Sequence, residues 1–383
     1  MLANVNIINA KVSGYQNLQR ILVNQEGIIE KIIPMGTAWE QITPQELQVL
    51  DVSGNWISLG GIDLQINGGL GLPFPELTAE NAPMLAEISS FLWNAGVDGY
   101  LPTLVTTSIE NIQRSLAILA NYTPTTPTSA QIMGIHLEGP FLNYYKRGAH
   151  PAEYLLPLTI DQVKRVLGDY AHVVKVITLA PELDPGGKVI SYLRSLGITV
   201  SLGHSQATAI ESQQAFNQGA TMITHAFNAM PPLHHREPGL LGAAMNDPRV
   251  FCGFIADGQH VDPIILKILI CATENLFIVS DALAPLGLPD GVYPWDTRQI
   301  KIINGTARLQ DGTLAGTTLP LLVGVQNLLK WGICDVETAI NLATNAPRQA
   351  MNLPTFAPNQ PAHLLSWNWD EVGKELRWKR LTM

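Results

Sequence analysis

Gly134-Ile135-His136-Leu137-Glu138-Gly139-Pro140-Phe141 is a β-like run that ends in a carboxylate. Ser201-Leu202-Gly203-His204 and Met222-Ile223-Thr224-His225 each end a similar run in an imidazole, and Ile278-Val279-Ser280-Asp281 ends one in a second carboxylate. These four side chains are so far apart in the chain that only the fold can bring them together. A divalent metal ion with an acid beside it is the simplest chemistry that uses such a set.

Runs of strand length alternate with helical stretches over most of the chain. Strands are expected at Ser58–Asn67, Val97–Thr103, Gln131–Glu138, Val173–Leu179, Ile198–His204, Thr221–His225, Val250–Asp257 and Leu276–Asp281. Helices are expected at Ala82–Ala95, Ile109–Ala120 and Val261–Ala272. About eight β/α units with strands buried on both faces predict an α/β fold, a closed (β/α)8 TIM-like barrel. An open doubly wound sheet is the alternative, but we find no glycine-rich dinucleotide fingerprint to support it.

Polar side chains fall where the predicted strands end. They are Gln65, Asn67, Thr103, Glu138, His204, His225, Asp257 and Asp281. Catalytic groups of a (β/α)8 barrel come from the carboxyl ends of its strands and from the loops that follow them. The coincidence therefore favours both the barrel and a catalytic site at one end of it.

The two ends of the chain have a different pattern. Short alternating runs predict the strands of a small β-sandwich built from both termini. These runs are Val5–Ile8, Arg20–Val23, Ala362–Trp367 and Leu376–Trp378. A hairpin at Gln299–Leu309, with its turn at Asn304-Gly305, is expected after the last barrel strand. We therefore expect the N-terminal part of the sandwich at 1–52, the metal-dependent barrel at 53–345 and the C-terminal part of the sandwich at 346–383.

Composition limits the classes of partner. The chain has 383 residues, of which 46% are hydrophobic and 14% charged, and its net charge is −9. An acidic protein is a poor partner for nucleic acid or for an anionic membrane. No stretch approaches the roughly 18 apolar residues that span a bilayer, and we expect no signal peptide. Cys252, Cys271 and Cys334 are widely spaced, which is typical of reduced thiols in a cytoplasmic protein.

Glu138, His204 and His225 are the candidate metal ligands. A lone histidine is more often a buried structural imidazole, but three such residues at strand ends favour a metal site. Nitrogen and oxygen ligands suit zinc most readily, and iron or another first-row metal also fits. Three protein ligands leave one coordination position open to water.

Asp281 is the candidate general base. It follows the apolar run Leu276-Phe277-Ile278-Val279, and a carboxylate there is costly to bury without a partner. As a base it would take a proton from the attacking water and return that proton to the leaving group. A helix N-cap or a fourth metal ligand are the alternative roles.

Several segments, taken in order, resemble the N-acetylglucosamine-6-phosphate deacetylase family of the amidohydrolase superfamily. They are Gly61–Gly68, His136–Phe141, Arg147–His150, Ser201–Ser205, Thr224–Met230, Arg236–Gly239, Ile255–Val261, Ser280–Ala282 and Gly312–Gly316. Arg236–Gly239 and Ile255–Val261 are not general to the superfamily, so the resemblance is specific to this family.

The resemblance implies hydrolysis of N-acetyl-D-glucosamine 6-phosphate to D-glucosamine 6-phosphate and acetate. It implies that Glu138, His204 and His225 bind the metal and that Asp281 acts as base and then as acid. It also implies that His150 polarises the acetamide carbonyl. Further substrate-binding residues by resemblance are Ala149, Asn228, Ala229, Arg236, His260 and a closing loop of Leu314, Ala315 and Gly316. Arg236 would pair with phosphate in the site of the neighbouring subunit of a homodimer.

The chain departs from the superfamily after the first barrel strand. Most amidohydrolases have His-x-His there, but this chain has Gln65 and Asn67. Neutral amides are poor ligands for divalent cations, so we expect one metal ion, with Gln65 and Asn67 supporting the site by hydrogen bonds. Two alternatives stay open: a deacetylase of another acetamido sugar phosphate, and a non-catalytic scaffold with the amidohydrolase fold.

Overall fold

The computed structural model describes residues 4–37, 47–123, 126 and 128–382. The strands are β1 (Asn4–Val12), β2 (Gln19–Val23), β3 (Ile29–Pro34), β4 (Leu47–Asp51), β5 (Trp56–Leu59), β6 (Gly61–Ile66), β7 (Gly68–Gly69), β8 (Leu72–Pro73), β9 (Val97–Val105), β10 (Gln131–Ile132), β11 (Ile135–Glu138), β12 (Val174–Leu179), β13 (Thr199–Leu202), β14 (Ala220–Ile223), β15 (Phe251–Phe254), β16 (Leu276–Ile278), β17 (Val292–Trp295), β18 (Arg298–Ile303), β19 (Thr306–Leu309), β20 (Leu314–Thr317), β21 (Leu364–Asp370) and β22 (Glu375–Arg380).

Helices fill most of the connections between the barrel strands. They are α1 (Met84–Asn94), α2 (Ile109–Ala120), α3 (Ile160–Leu167), α4 (Lys188–Ser195), α5 (Ala209–Asn217), α6 (Gly239–Met245), α7 (Pro263–Ala272), α8 (Leu321–Lys330), α9 (Val336–Ala343) and α10 (Asn345–Ala350). The three helices expected from the sequence are α1, α2 and α7. Within the described ranges, no helix is both long enough and apolar enough to cross a bilayer.

The predicted barrel is confirmed. Parallel strands pair in the order β6, β9, β11, β12, β13, β14, β15, β16. Just beyond β16 the chain returns to β6, because Ala282 pairs with Ile66 and the Asp281 amide donates to the Gln65 carbonyl over 2.9 Å. The sheet thus curves round until its first and last strands meet, which brings all their carboxyl ends to one mouth.

Apolar side chains fill both sides of the barrel wall. Inside, Ile62, Leu101, Val176 and Met222 belong to one buried cluster. Outside, a larger buried cluster joins the strands to the covering helices, as Leu116 of α2 illustrates. Burial on both faces explains why these strands read as continuous apolar runs in the sequence.

Strands from both ends of the chain form a small β-domain, as predicted, and they pair into one seven-stranded sheet. Its order is β22, β21, β5, β1, β2, β3, and β4 pairs with β1. The single strand expected at Ser58–Asn67 is wrong, because it is divided at Gly60 into β5 and β6. A side chain at Gly60 would lie 2.1 Å from Oδ1 of Asp98, so only glycine allows the chain to pass there. The division at 1–52, 53–345 and 346–383 stays a proposal, since β5, beyond its first limit, joins the terminal sheet.

The predicted hairpin is part of a four-stranded antiparallel sheet, β17 to β20. Strands β18 and β19 pair across a turn at Asn304-Gly305, which confirms the expected position of the turn. This sheet is inserted between β16 and α8. Residues from β17, β20 and the turns between strands reach the barrel mouth, where they line the cavity described below.

Candidate active site

The residues at the barrel mouth leave the strands abruptly. Strand β13 ends two residues before His204, and β14 ends two residues before His225. His204, His225 and Asp281 have φ values of 50°, 30° and 47°, in the left-handed region that side chains other than glycine rarely adopt. Each such conformation costs on the order of 1–3 kcal/mol, and strain of this kind is concentrated at functional sites. The bends shorten the strands relative to the sequence prediction.

Glu138, His204 and His225 meet at one point. Oε1 of Glu138 lies 3.1 Å from Nε2 of His204 and 3.0 Å from Nε2 of His225, and the two imidazole nitrogens are 3.0 Å apart. All three side chains are buried. The candidate ligands proposed from the sequence therefore form a group able to hold one metal ion.

The chemistry of these three atoms fits a cation. Nδ1 of His204 lies 2.8 Å from the carbonyl oxygen of Lys146 and donates to it, so Nε2 of the neutral ring carries a lone pair. Burial alone would raise the pKa of Glu138, but the adjacent His204 and His225 imidazoles hold that pKa well below its usual range. In a buried site, the Glu138 carboxylate oxygen and the Nε2 lone pair of His204 repel each other unless a proton or a cation lies between them, and Nε2 of His225 lies 3.0 Å from both atoms.

Asp281 is held beside this group by the two amides that replace His-x-His. Nε2 of Gln65 lies 3.1 Å from Oε1 of Glu138 and 3.2 Å from Oδ1 of Asp281. Nδ2 of Asn67 donates to the same Asp281 oxygen over 2.8 Å. Burial, and then the nearby Glu138 carboxylate, raise the pKa of Asp281 to about 7. A carboxyl group with a pKa near neutrality can take up and return a proton.

His150 contacts this site from the loop after β11. Its ring makes an edge contact with His204 at 4.5 Å between centroids, and its Nδ1 lies 2.9 Å from Oγ1 of Thr106. The Thr106 amide also donates to Nδ1, over 3.3 Å, which favours the tautomer with its proton on Nε2. Burial, and then His204, lower the pKa of His150 to about 3, so the ring is neutral at pH 7.

His260 carries its ring proton on the other nitrogen from the one favoured in His150. Its Nδ1 lies 2.7 Å from Oδ2 of Asp257, and both side chains are almost fully buried. Oδ1 of Asp257 accepts the backbone N–H groups of Gln259 and His260, each over 2.9 Å. A carboxylate can only accept here, so Nδ1 of His260 carries a proton.

A cavity of about 750 Å³ opens over these groups. Residues proposed from the sequence that line it are Asn67, Glu138, Ala149, His150, His204, His225, Asn228, Ala229, His260, Asp281, Leu314 and Ala315. Leu314–Thr317 is a strand rather than a loop, and Gly316 packs against the backbone of Asp281, where a Cβ would lie 2.6 Å from the carbonyl oxygen. Arg236 is exposed and is not among the described residues that line the cavity.

Thr106, Trp295 and Arg298 are among the cavity residues that the sequence did not identify. Thr106 contacts His150, and both Trp295 and Arg298 line the cavity from the inserted sheet. Thr106 follows shortly after a predicted strand end, which is the signal that could have identified it. Trp295 and Arg298 lie beside a hairpin turn far along the chain, and no local pattern relates them to the barrel mouth.

Known proteins resemble this chain in sequence and in structure. A bovine (Bos taurus) N-acetylglucosamine-6-phosphate deacetylase is 37% identical over 310 residues, 79% of this chain and 76% of that protein. An N-acetylgalactosamine-6-phosphate deacetylase of Escherichia coli is 32% identical, over 81% of this chain and 82% of that protein. A mutant N-acetyl-D-glucosamine-6-phosphate deacetylase from Mycobacterium smegmatis, solved with N-acetyl-D-glucosamine-6-phosphate, has a TM-score of 0.83 at 26% identity, covering 98% of this chain and 97% of that one.

The barrel, with its buried Glu138, His204 and His225 group, is that of a hydrolase of the amidohydrolase superfamily. No family model matches the chain. The extent and identity of its relatives nevertheless decide the assignment: the chain belongs to the N-acetylglucosamine-6-phosphate deacetylase family.

Proposed function

We propose that this chain hydrolyses the N-acetyl group of N-acetyl-D-glucosamine 6-phosphate, giving D-glucosamine 6-phosphate and acetate. The observation that carries the proposal is the meeting of Glu138, His204 and His225 beside Asp281 in one cavity. The relatives named above act on acetamido sugar phosphates, which supports the substrate class. A non-catalytic scaffold has no need for so many buried polar groups, and this alternative is not favoured.

Glu138, His204 and His225 would hold one divalent metal ion, for which we propose zinc. Such an ion, when bound, would polarise the acetamide carbonyl and activate the attacking water. Gln65 and Asn67 would hold the two carboxylates in place, since both amides donate to Asp281 and Gln65 also donates to Glu138. The donor set of two imidazoles and one carboxylate supports zinc, and iron is the next candidate.

Asp281 would move the proton. As the water oxygen bonds to the carbonyl carbon, Asp281 takes the water proton, and it returns that proton to the amine nitrogen as the C–N bond breaks. The products are then acetate and a free amine. A pKa of about 7 supports both halves of this role.

His150 would donate a hydrogen bond to the acetamide oxygen. Its proton lies on Nε2 because Nδ1 accepts from Thr106. A neutral imidazole that can only donate from this atom stabilises negative charge as it develops on the carbonyl oxygen. His260 would contact the sugar phosphate from the opposite tautomer, held by Asp257.

Asn228 and Ala229 would bind the sugar and its phosphate, and Arg236 would bind phosphate in the site of a neighbouring subunit. The exposed position of Arg236 supports a homodimer in which the residue acts in trans. Mixed dimers of Arg236→Ala and Asp281→Asn chains test this. Partial recovery of activity on mixing is expected, since one site then combines an intact Asp281 with the partner's intact arginine; no recovery would contradict it.

A cytoplasmic location is proposed from the cysteines. All three are unpaired, which is typical of a reducing compartment.

N-acetyl-D-galactosamine 6-phosphate is the second candidate substrate. One specific observation favours it, the E. coli relative that shares 32% identity over 82% of its length. Acetate release from the glucosamine and galactosamine epimers, measured side by side with zinc-loaded protein, decides between them. A higher kcat/KM for the glucosamine epimer is expected, and the reverse ratio would replace the first substrate with the second.

A further inference from the structure

Two Asp-x-Arg segments of this chain fold into the same clamp. In Asp296-Thr297-Arg298, Oδ1 of the aspartate accepts the arginine backbone N–H over 3.0 Å and Nε over 3.0 Å, and Oδ2 accepts Nη2 over 2.6 Å. In Asp247-Pro248-Arg249 the same three hydrogen bonds form, and the two on Oδ1 measure 3.0 and 2.8 Å. Each clamp fixes the guanidinium by two parallel N–H donors to one carboxylate.

The two clamps differ in where they lie. Nη2 of Arg249 donates to Asn217, the last residue of helix α5, and the Arg249 side chain is 52% exposed. Nη2 of Arg298 donates instead to the carbonyl oxygen of Ala149 over 2.8 Å, and Arg298 lines the catalytic cavity. Ala149 directly precedes His150. The clamp of Asp296 and Arg298 therefore joins the inserted sheet to the loop that carries His150, a residue of the proposed reaction.

Arg298 is held in place before substrate arrives. Asp296 has a φ of 48°, in the left-handed region, so the turn is kept in an unfavourable backbone conformation by its side-chain contacts. Nε and Nη2 of Arg298 are engaged, and no hydrogen bond within the described residues engages Nη1. The free N–H groups of Nη1 are thus available on a guanidinium whose orientation is already fixed.

The lining of the cavity is acidic, so a free guanidinium donor there favours the binding of an anionic substrate. Its acidic lining residues are Glu76, Glu138, Glu153, Asp281, Asp296 and Asp311, and its described arginines are Arg147 and Arg298. Arg147 donates to the Tyr144 carbonyl and lies over the Tyr144 ring at 4.3 Å. A doubly charged phosphate ester that enters this cavity needs a cation to offset the acidic field.

We propose that Arg298 is a substrate-binding residue of this site and that Asp296 positions it. The Nη1 group donates to an oxygen of the bound sugar phosphate, either a phosphoryl oxygen or a sugar hydroxyl. This inference rests on the proposed function, because it takes the acetamido sugar phosphate as the ligand of the cavity.

Arg298→Lys is the central test, with Arg249→Lys as the matched control. Lysine keeps the positive charge but cannot hold two donors on Asp296 and a third toward the substrate. With zinc-loaded protein and N-acetyl-D-glucosamine 6-phosphate, KM is expected to rise about tenfold or more in Arg298→Lys, with a much smaller change in kcat. Arg249→Lys is expected to stay within about twofold of wild type. Asp296→Asn, which keeps the cation but loosens it, is expected to raise KM by an intermediate factor.

Unphosphorylated N-acetyl-D-glucosamine, used as a competitive inhibitor, separates the two sources of the oxygen. If Arg298 binds the phosphoryl group, its inhibition constant is the same for wild type and Arg298→Lys. If Arg298 binds a sugar hydroxyl, the inhibition constant rises by the same factor as KM. Both results support the proposal and identify the bound group.

Two results overturn it. One is a KM within about twofold of wild type in Arg298→Lys and in Arg298→Gln, with thermal unfolding showing that both are folded. The other is a fall in kcat at constant KM, which means that Arg298 only holds the Ala149–His150 loop. The proposed function fails separately, since it is refuted when wild-type protein releases no acetate.

Discussion

Two clusters of charged groups in this molecule, both largely shielded from solvent, are built on opposite plans. At the junction of the barrel and the terminal sheet, Asp98 lies 3.1 Å from Arg348 and 2.8 Å from Arg380, and it also accepts the Gly60 amide over 2.7 Å. At the barrel mouth, carboxylates and imidazoles converge, and within the described residues no arginine or lysine forms an ion pair with Glu138 or Asp281.

The difference separates a structural cluster from the cluster for which we propose a catalytic role. Asp98 is paired by the chain itself, so its interactions contribute to folding without any ligand. The charge of the Glu138, His204 and His225 group would instead be balanced by a cation bound from solution.

His225→Ala should remove both metal and activity. Loss of one of three ligands lowers affinity for the ion strongly, because two protein ligands hold a divalent cation poorly. Zinc content, measured after dialysis, should fall from about one per chain to far below that value. Zinc should raise the unfolding temperature of wild type but not that of His225→Ala. Full metal content in the variant would remove His225 from the ligand set.

Asp281→Asn should lose turnover while the protein stays folded. Proton transfer by a positioned side chain contributes on the order of 10² to 10⁴ in rate, so kcat should fall by that factor. Substrate binding and zinc content should be nearly unchanged. The matched control is Asp98→Asn, which should keep its kcat at temperatures where it is folded. A normal kcat in Asp281→Asn would contradict the assigned role.

Asp98→Asn should instead lose stability. Removing one partner of a buried charge pair costs about 3–5 kcal/mol, because the arginines stay buried without their counter-charge. Side chains of Arg348 and Asp98 are 7% and 11% exposed, so little water can replace the lost interaction. Urea unfolding should show a lower midpoint, and a midpoint equal to that of wild type would mean that the junction does not depend on this pair.

Asp63→Asn should weaken the dependence of stability on pH. Oδ1 of Asp63 accepts the Gln65 and Ser280 amides, Oδ2 has no partner within the described residues, and burial raises the pKa of Asp63 to about 7. Between the ordinary pKa of 3.8 and about 7 the folded state keeps a proton that the unfolded state has released. Stability due to this group therefore falls as pH rises through that window.

Thermal unfolding at pH 5 and pH 8 measures this effect. The decrease from pH 5 to pH 8 should be smaller in Asp63→Asn than in wild type. Asp281 contributes in the same direction, so part of the decrease should remain. An unchanged decrease would mean that Asp63 is ionised at little cost in the folded protein.

The sequence predicted the barrel and the ligand group because both follow from local patterns. Continuous apolar runs mark strands buried on both faces, and the polar residue after each run marks the mouth. The bends at His204 and His225 could not be predicted, since left-handed backbone at these residues is unfavourable locally and is imposed by the surrounding fold.

Contacts between distant segments could not be predicted from the sequence either. Arg298 meets the carbonyl of Ala149 across 149 residues of chain, and Asp98 meets Arg380 across 282. Neither pair has a spacing that any element requires. The gap at Gly60 was missed for the same reason, because the residue that excludes a side chain there is Asp98.

Acetate release from N-acetyl-D-glucosamine 6-phosphate, followed before and after removal of metal, is the most direct test of the central claim. Zinc-loaded protein should release acetate, chelation should abolish the release, and added zinc should restore it. Protein that carries one zinc ion per chain and still forms no acetate, or that forms it equally well after chelation, would show that this site does not perform metal-dependent deacetylation.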